Sequence, residues 1–169
     1  MMMLRRIRAW SRERLAERVS AASYGTVLIL VALTLVDSDD VAEGFGWELV
    51  TGVGVATWVA HLYAEILGGR LRNAQAHQAH EIRRAMADGL PILLATVPPA
   101  VALFLGRIEV LTPRAAFWTA VILALLQLVG LGAVVGLLVS DQKSYTWRYA
   151  AGAAMFGIPV VVLMLALGH

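Results

Sequence analysis

The chain has 169 residues, 59% of them hydrophobic, with a mean hydropathy of +0.72 and a net charge of +2. Soluble domains are about 45–50% apolar, and here the excess is gathered in long blocks, which marks an integral membrane protein. The absence of cysteine excludes disulfides, thiolate metal sites and cysteine nucleophiles, and an imbalance of +2 is too small to point to nucleic acid.

Residues 1–20 are short and basic. Leu4, Ile7, Ser11, Leu15 and Val19 recur near helical spacing among Arg5, Arg8, Arg12, Arg14 and Arg18, the pattern of an interfacial helix on an anionic leaflet. A first span is expected over about 21–36. The acidic run "VDSDDVAEG" follows it where a cleaved signal would need a small-x-small site, so an uncleaved anchor is expected. The second span is about 47–67, with Trp47 at the interface. The third, about 90–105, has helix-start signals in Asp88, Gly89 and Pro91, and Pro98-Pro99 within it should kink it or leave carbonyls unpaired. Thr112-Pro113 opens a fourth span over about 115–139, and a fifth covers about 149–167, with Pro159 as another expected kink.

These elements predict an all-α membrane bundle of five spans. The connection 68–88 is expected to be a cytoplasmic helix continuing the second span, because Ala, Gln, Arg and Glu favour helix. With the N-terminus inside, twelve basic residues fall on the inner side and two, Arg107 and Arg114, on the outer. The acidic loop Asp37, Asp39, Asp40 and Glu43 also falls outside, so the positive-inside rule gives a cytoplasmic N-terminus and an extracytoplasmic C-terminus in a cell membrane. Thirteen of the fourteen basic residues are Arg, a bias that suggests a GC-rich bacterial genome.

Few residues can carry chemistry. His61 and Glu65 are one helical turn apart on one face, and an ionisable side chain inside a membrane is a functional candidate. Glu65 is also close to Arg70, so the competing reading is polarity at the water's edge. Tyr24 and Gln127 are further polar candidates for a transport path, although hydrogen bonding between helices suits both. His77, His80 and Glu81 have spacings that bring imidazoles and a carboxylate to one surface, as a divalent metal would need; one helix supplies too few ligands, and a solvated face is the plainer reading. Gly132 and Gly136, with Gly130, form a small face on the fourth span, and Gly52, Gly54 and Ala56 form one on the second. Such faces serve tight packing or a homodimer. No phosphate loop, dinucleotide fingerprint or nucleophile motif occurs, so no enzymatic activity is expected.

The five-span layout, the second span that runs on into the cytoplasm and the terminal "SYTWRYAAGAAMFGIPVVVLMLALGH" resemble the vacuolar iron transporter (VIT) family. The family's Asn-Asp-Gly in the first span corresponds to Ser23-Tyr24-Gly25, where only the glycine matches, and its Gly-Glu-Tyr in the second corresponds to Ala64-Glu65-Ile66. The resemblance implies a homodimeric, proton-coupled transporter of divalent cations such as Fe²⁺ or Mn²⁺, with Glu65 on the metal path. A fainter likeness, in "RVSAASYGTV", is to the first-helix motif of the bacterial TMEM175 potassium channels, with Arg18, Ala21 and Ser23 matching. The alternative from another class is a non-transporting membrane protein that binds a partner or anionic lipid through its Arg-rich cytoplasmic face.

Overall fold

The computed structural model describes residues 2–72, 78–139 and 143–166. Almost all of them are helical: α1 (Met2–Leu33), α2 (Ser38–Glu43), α3 (Phe45–Arg72), α4 (Gln78–Arg107), α5 (Pro113–Val139) and α6 (Lys143–Ala166). Within the described residues, four helices are long and apolar enough to cross a bilayer, over Leu15–Leu33, Phe45–Gly69, Ile82–Arg107 and Pro113–Leu137. A hydrocarbon core of about 30 Å needs roughly 20 helical residues, which each of the four provides or closely approaches.

Several boundaries differ from the sequence expectation. The basic N-terminal segment and the first span form one helix, so the apolar window reaches back to Leu15. Asp88, Gly89 and Pro91 do not begin α4, which starts at Gln78 and runs through them. Proline removes its own N–H and crowds the carbonyl four residues back, and a helix held by its neighbours can absorb that cost. The connection 68–88 is therefore shared between the end of α3 and the start of α4. α4 also passes through Pro98 and Pro99, which have no N–H to offer the carbonyls of Leu94 and Ala95.

The acidic loop contains a short helix that hydrophobic periodicity did not reveal. Asp37 is the N-cap of α2: its carboxylate accepts from the N–H groups of Asp39 and Asp40, and Asp40 accepts in turn from the N–H of Asp37. This reciprocal box satisfies donors that a helix start leaves open. Gly44 closes α2 in the left-handed region, at φ 96°. At the start of α5, the Thr112 hydroxyl accepts from the Ala115 N–H at 3.3 Å, with Pro113 in the first helical position as expected.

The bundle has two chemically different ends. One carries α2, the start of α3, the end of α4 and the start of α5, with Asp37, Asp39, Asp40, Glu43, Glu48 and Glu109 against Arg107 and Arg114. At the other, Arg18 of α1 meets Asp88 of α4. Most of the large buried side chains lie in the half nearer the acidic end, where Ile29, Leu30, Leu33 and Val36 pack with Val41, Val50, Leu103, Phe117 and Val121; Ile92, against Gly25, is a large buried side chain in the other half. Most other buried residues towards the arginine end are small, among them Ala21, Ala22, Ala85, Ala95 and Ala150. In lipid, burying leucine only exchanges one apolar contact for another, so close fit rather than water exclusion holds helices together. By that measure the acidic half is the better-packed one.

Candidate functional site

The residues singled out from the sequence are not brought to one place. His61 lies on α3 against α4 at Gly89: a Cβ built on Gly89 would fall 3.2 Å from His61 Cδ2 and 3.0 Å from Trp58 Cδ1. A methyl group there would require the indole or the imidazole to give by a few tenths of an ångström. Gly89 follows Asp88, whose carboxylate is 3.4 Å from Arg18 Nε and 3.6 Å from Arg84 Nε. The imidazole is thus beside Gly89, next in the chain to the charged cluster of Asp88, Arg18 and Arg84. The indole N–H of Trp58 is buried beside it with no hydrogen-bond partner among the described residues.

Glu65 is exposed one turn further along α3 and lines none of the three cavities described here. Gln127 lies in a different region, lining a 370 Å³ pocket with Ala22, Thr26, Pro91 and Ala95, where its Oε1 is buried with no hydrogen-bond partner among the described residues. The nearby Thr26 hydroxyl donates to its own helix, at Ala22 O. Tyr24 is on another side of α1 and is 59% exposed. His77 lies outside the described residues, as do the side chains of His80 and Glu81 and those of residues 1–14. Among the described residues, no three His, Asp or Glu side chains are grouped as a metal ion would need.

Most of the glycines expected to form packing faces work within the chain. A Cβ on Gly132 would sit 2.6 Å from Ala153 Cβ and 2.7 Å from Tyr149 O, so α5 and α6 approach to backbone contact there. Gly136, one turn on, is buried. Gly54 faces Thr96 of α4 in the same way, whereas a Cβ on Gly52 would meet nothing within 4 Å.

A groove of 1060 Å³ opens between α1, α5 and α6, which sequence reasoning did not anticipate. Its walls include Ser20, Ser23, Tyr24, Leu131, Arg148 and Tyr149. Tyr24 was singled out from the sequence, but nothing in a single helix shows that Arg148, more than 120 residues away, shares its cavity. A 340 Å³ apolar depression between α3 and α4, lined by Trp47, Val55, Val97 and Phe104, faces elsewhere. Comparison with protein families, with curated proteins and with solved structures finds no match.

Proposed function

We propose that the chain is a five-span membrane protein with its N-terminus in the cytoplasm, and that its arginine end works by engaging the anionic lipid of the inner leaflet. One observation carries this reading: at the end built around α2 the acids Asp37, Asp39, Asp40, Glu43, Glu48 and Glu109 outnumber Arg107 and Arg114, while towards the other end Arg18, Arg83, Arg84 and Arg148 lie exposed and outnumber the acids described there, Glu17, Glu65 and Asp88. α6 supplies the fifth span, a 24-residue helix that starts at the arginine end. Each Lys or Arg near an anionic surface contributes about 1 kcal/mol, within a Debye length of it. The test compares thermal unfolding of the full chain in nanodiscs of phosphatidylcholine alone and with phosphatidylglycerol added. The expected result is a higher melting temperature with the anionic lipid and loss of that difference in high salt. Equal melting temperatures in the two lipids would overturn the reading.

A second reading is transport of a divalent cation, as in the VIT family. What favours it is the position of His61 on Gly89, next in the chain to Asp88, where an imidazole and a carboxylate occupy adjacent elements. In that reading Glu65 receives the cation and His61 exchanges a proton near neutral pH. The homodimer it implies would use the exposed small residues Gly52, Ala56 and Ala60 of α3, because Gly132 is occupied by α6.

A further inference from the structure

The groove between α1, α5 and α6 is graded along its length. Towards its mouth Ser20 of α1 and Arg148 of α6 stand among the apolar Ala16, Val19 and Val135, and at its deep end are Val27 and Leu128. Helical side chains lean towards the N-terminus of their helix. Both α1 and α6 begin at the arginine end, so Tyr24 and Arg148 lean towards the mouth. Trp147 and Tyr149 flank Arg148 and are exposed, as aromatic residues are at the headgroup level of a bilayer.

The length of the groove is informative. Its α1 wall runs from Ala16 to Val27, which at a rise of about 1.5 Å per residue is on the order of 16 Å. That is roughly half of a 30 Å hydrocarbon core, the depth of a single leaflet. A helix from a second copy would need a channel across the whole core, whereas a lipid tail needs one leaflet. The width is left open by Gly152, where an added Cβ would meet nothing within 4 Å.

We infer that this groove is a binding site for an anionic phospholipid of the leaflet at the arginine end. An acyl chain lies between Val27, Leu128 and Leu131. The phosphate is held at the mouth by the Arg148 guanidinium and by the hydroxyls of Ser20 and Tyr24. Arg148 supplies charge selectivity, because a guanidinium gives a phosphate paired donors; the small residues Gly132, Gly152 and Ala153 supply the space. This inference rests on the lipid-engaging reading above and assigns it a place.

The test is native mass spectrometry of the detergent-extracted full chain with added phosphatidylglycerol or phosphatidylcholine. Wild type should retain phosphatidylglycerol in preference. Arg148→Gln should reduce that preference about fivefold, the loss expected for one charge. Gly152→Phe projects into the open groove, so it should keep the wild-type melting temperature in detergent while losing the bound lipid. Arg114→Gln, at the acidic end, should retain lipid as wild type does. Retention of phosphatidylglycerol by Gly152→Phe at the wild-type level would overturn the groove site. Anionic stabilisation persisting in nanodiscs would then leave the broader reading standing, whereas no preference in either assay would remove both. A wild-type dimer that Gly152→Phe converts to a monomer would show instead that the groove is a subunit contact.

Discussion

Arg18 and Asp88 are 70 residues apart in sequence, yet Arg18 Nε donates to Asp88 Oδ1 at 3.4 Å and joins α1 to α4. The Asp88 side chain is only 13% exposed and also faces Arg84. The pair stands next in the chain to Gly89, with His61 across from it. Asp88→Asn should cost at most about 1 kcal/mol, since both guanidinium groups are well exposed. A double-mutant cycle with Arg18→Gln measures this, and the coupling should fade in high salt. Strictly additive losses would mean that the two side chains do not interact.

The glycines of α5 predict a contrast within one turn. Gly132→Leu forces a side chain into Ala153 and the Tyr149 carbonyl and should destabilise by about 1–3 kcal/mol or more. Gly130→Leu meets nothing within 4 Å and should leave the melting temperature nearly unchanged. Equal effects of the two substitutions would contradict the close approach of α5 and α6.

Backbone strain gives a third pair. Glu109 follows α4 with φ 61°, and the turn around it is closed by bonds from Val110 N and Leu111 N to Leu105 O. A side chain in this region costs about 1–2 kcal/mol relative to glycine, so Glu109→Gly should raise stability by on the order of 1 kcal/mol. Gly44→Ala should lower it, because the new methyl group would be strained at φ 96° and would fall 2.7 Å from Arg107 Nε. Chemical denaturation of the two variants, with shifts in opposite directions, is the check.

Membrane orientation is read by reporter fusions. A reporter after His169 should be extracytoplasmic and one near Gln75 cytoplasmic, since three spans separate them in the proposed layout. The same side for both would remove the five-span arrangement.

Metal uptake separates the two functional readings. Proteoliposomes holding the wild type should accumulate no more Fe²⁺ or Mn²⁺ than empty vesicles under a proton gradient. Uptake that Glu65→Gln abolishes, with His61→Ala shifting its pH dependence, would replace the lipid reading with transport.

Apolar blocks were legible in the sequence because their length is dictated by the bilayer, and Thr112-Pro113 announced α5 correctly. Helix ends were less legible. Gly89 and Pro91 carry the same signals at the start of a helix and within one, and only Trp58 packed against Gly89 shows which applies. The α2 cap was present in the Asp37–Asp40 spacing, but in carboxylates where Ser or Thr with Glu is the commoner pairing. Small residues announced close approach without naming a partner: Gly132 serves α6, while Gly52 remains open. The groove had no linear signature at all, because its mouth joins Ser20 to Arg148 from opposite ends of the chain.

Val41 is the fully buried residue of α2, where it lies close to both Gly46 and Gly106, and Arg107 reaches Ala42 O at 3.4 Å. Together with the large side chains below it, this knot ties helices at one end, like stems gathered by a cord; at the other end Arg18–Asp88 holds α1 to α4 and Gly132 holds α5 to α6, which leaves the seam between α1 and α6 freer to part. Thickening or thinning of the surrounding bilayer would therefore be felt unequally by the two leaflets. The tied end would ride as a block, while α1 and α6 could part or close along the groove, so that lateral pressure in one leaflet sets how wide it stands.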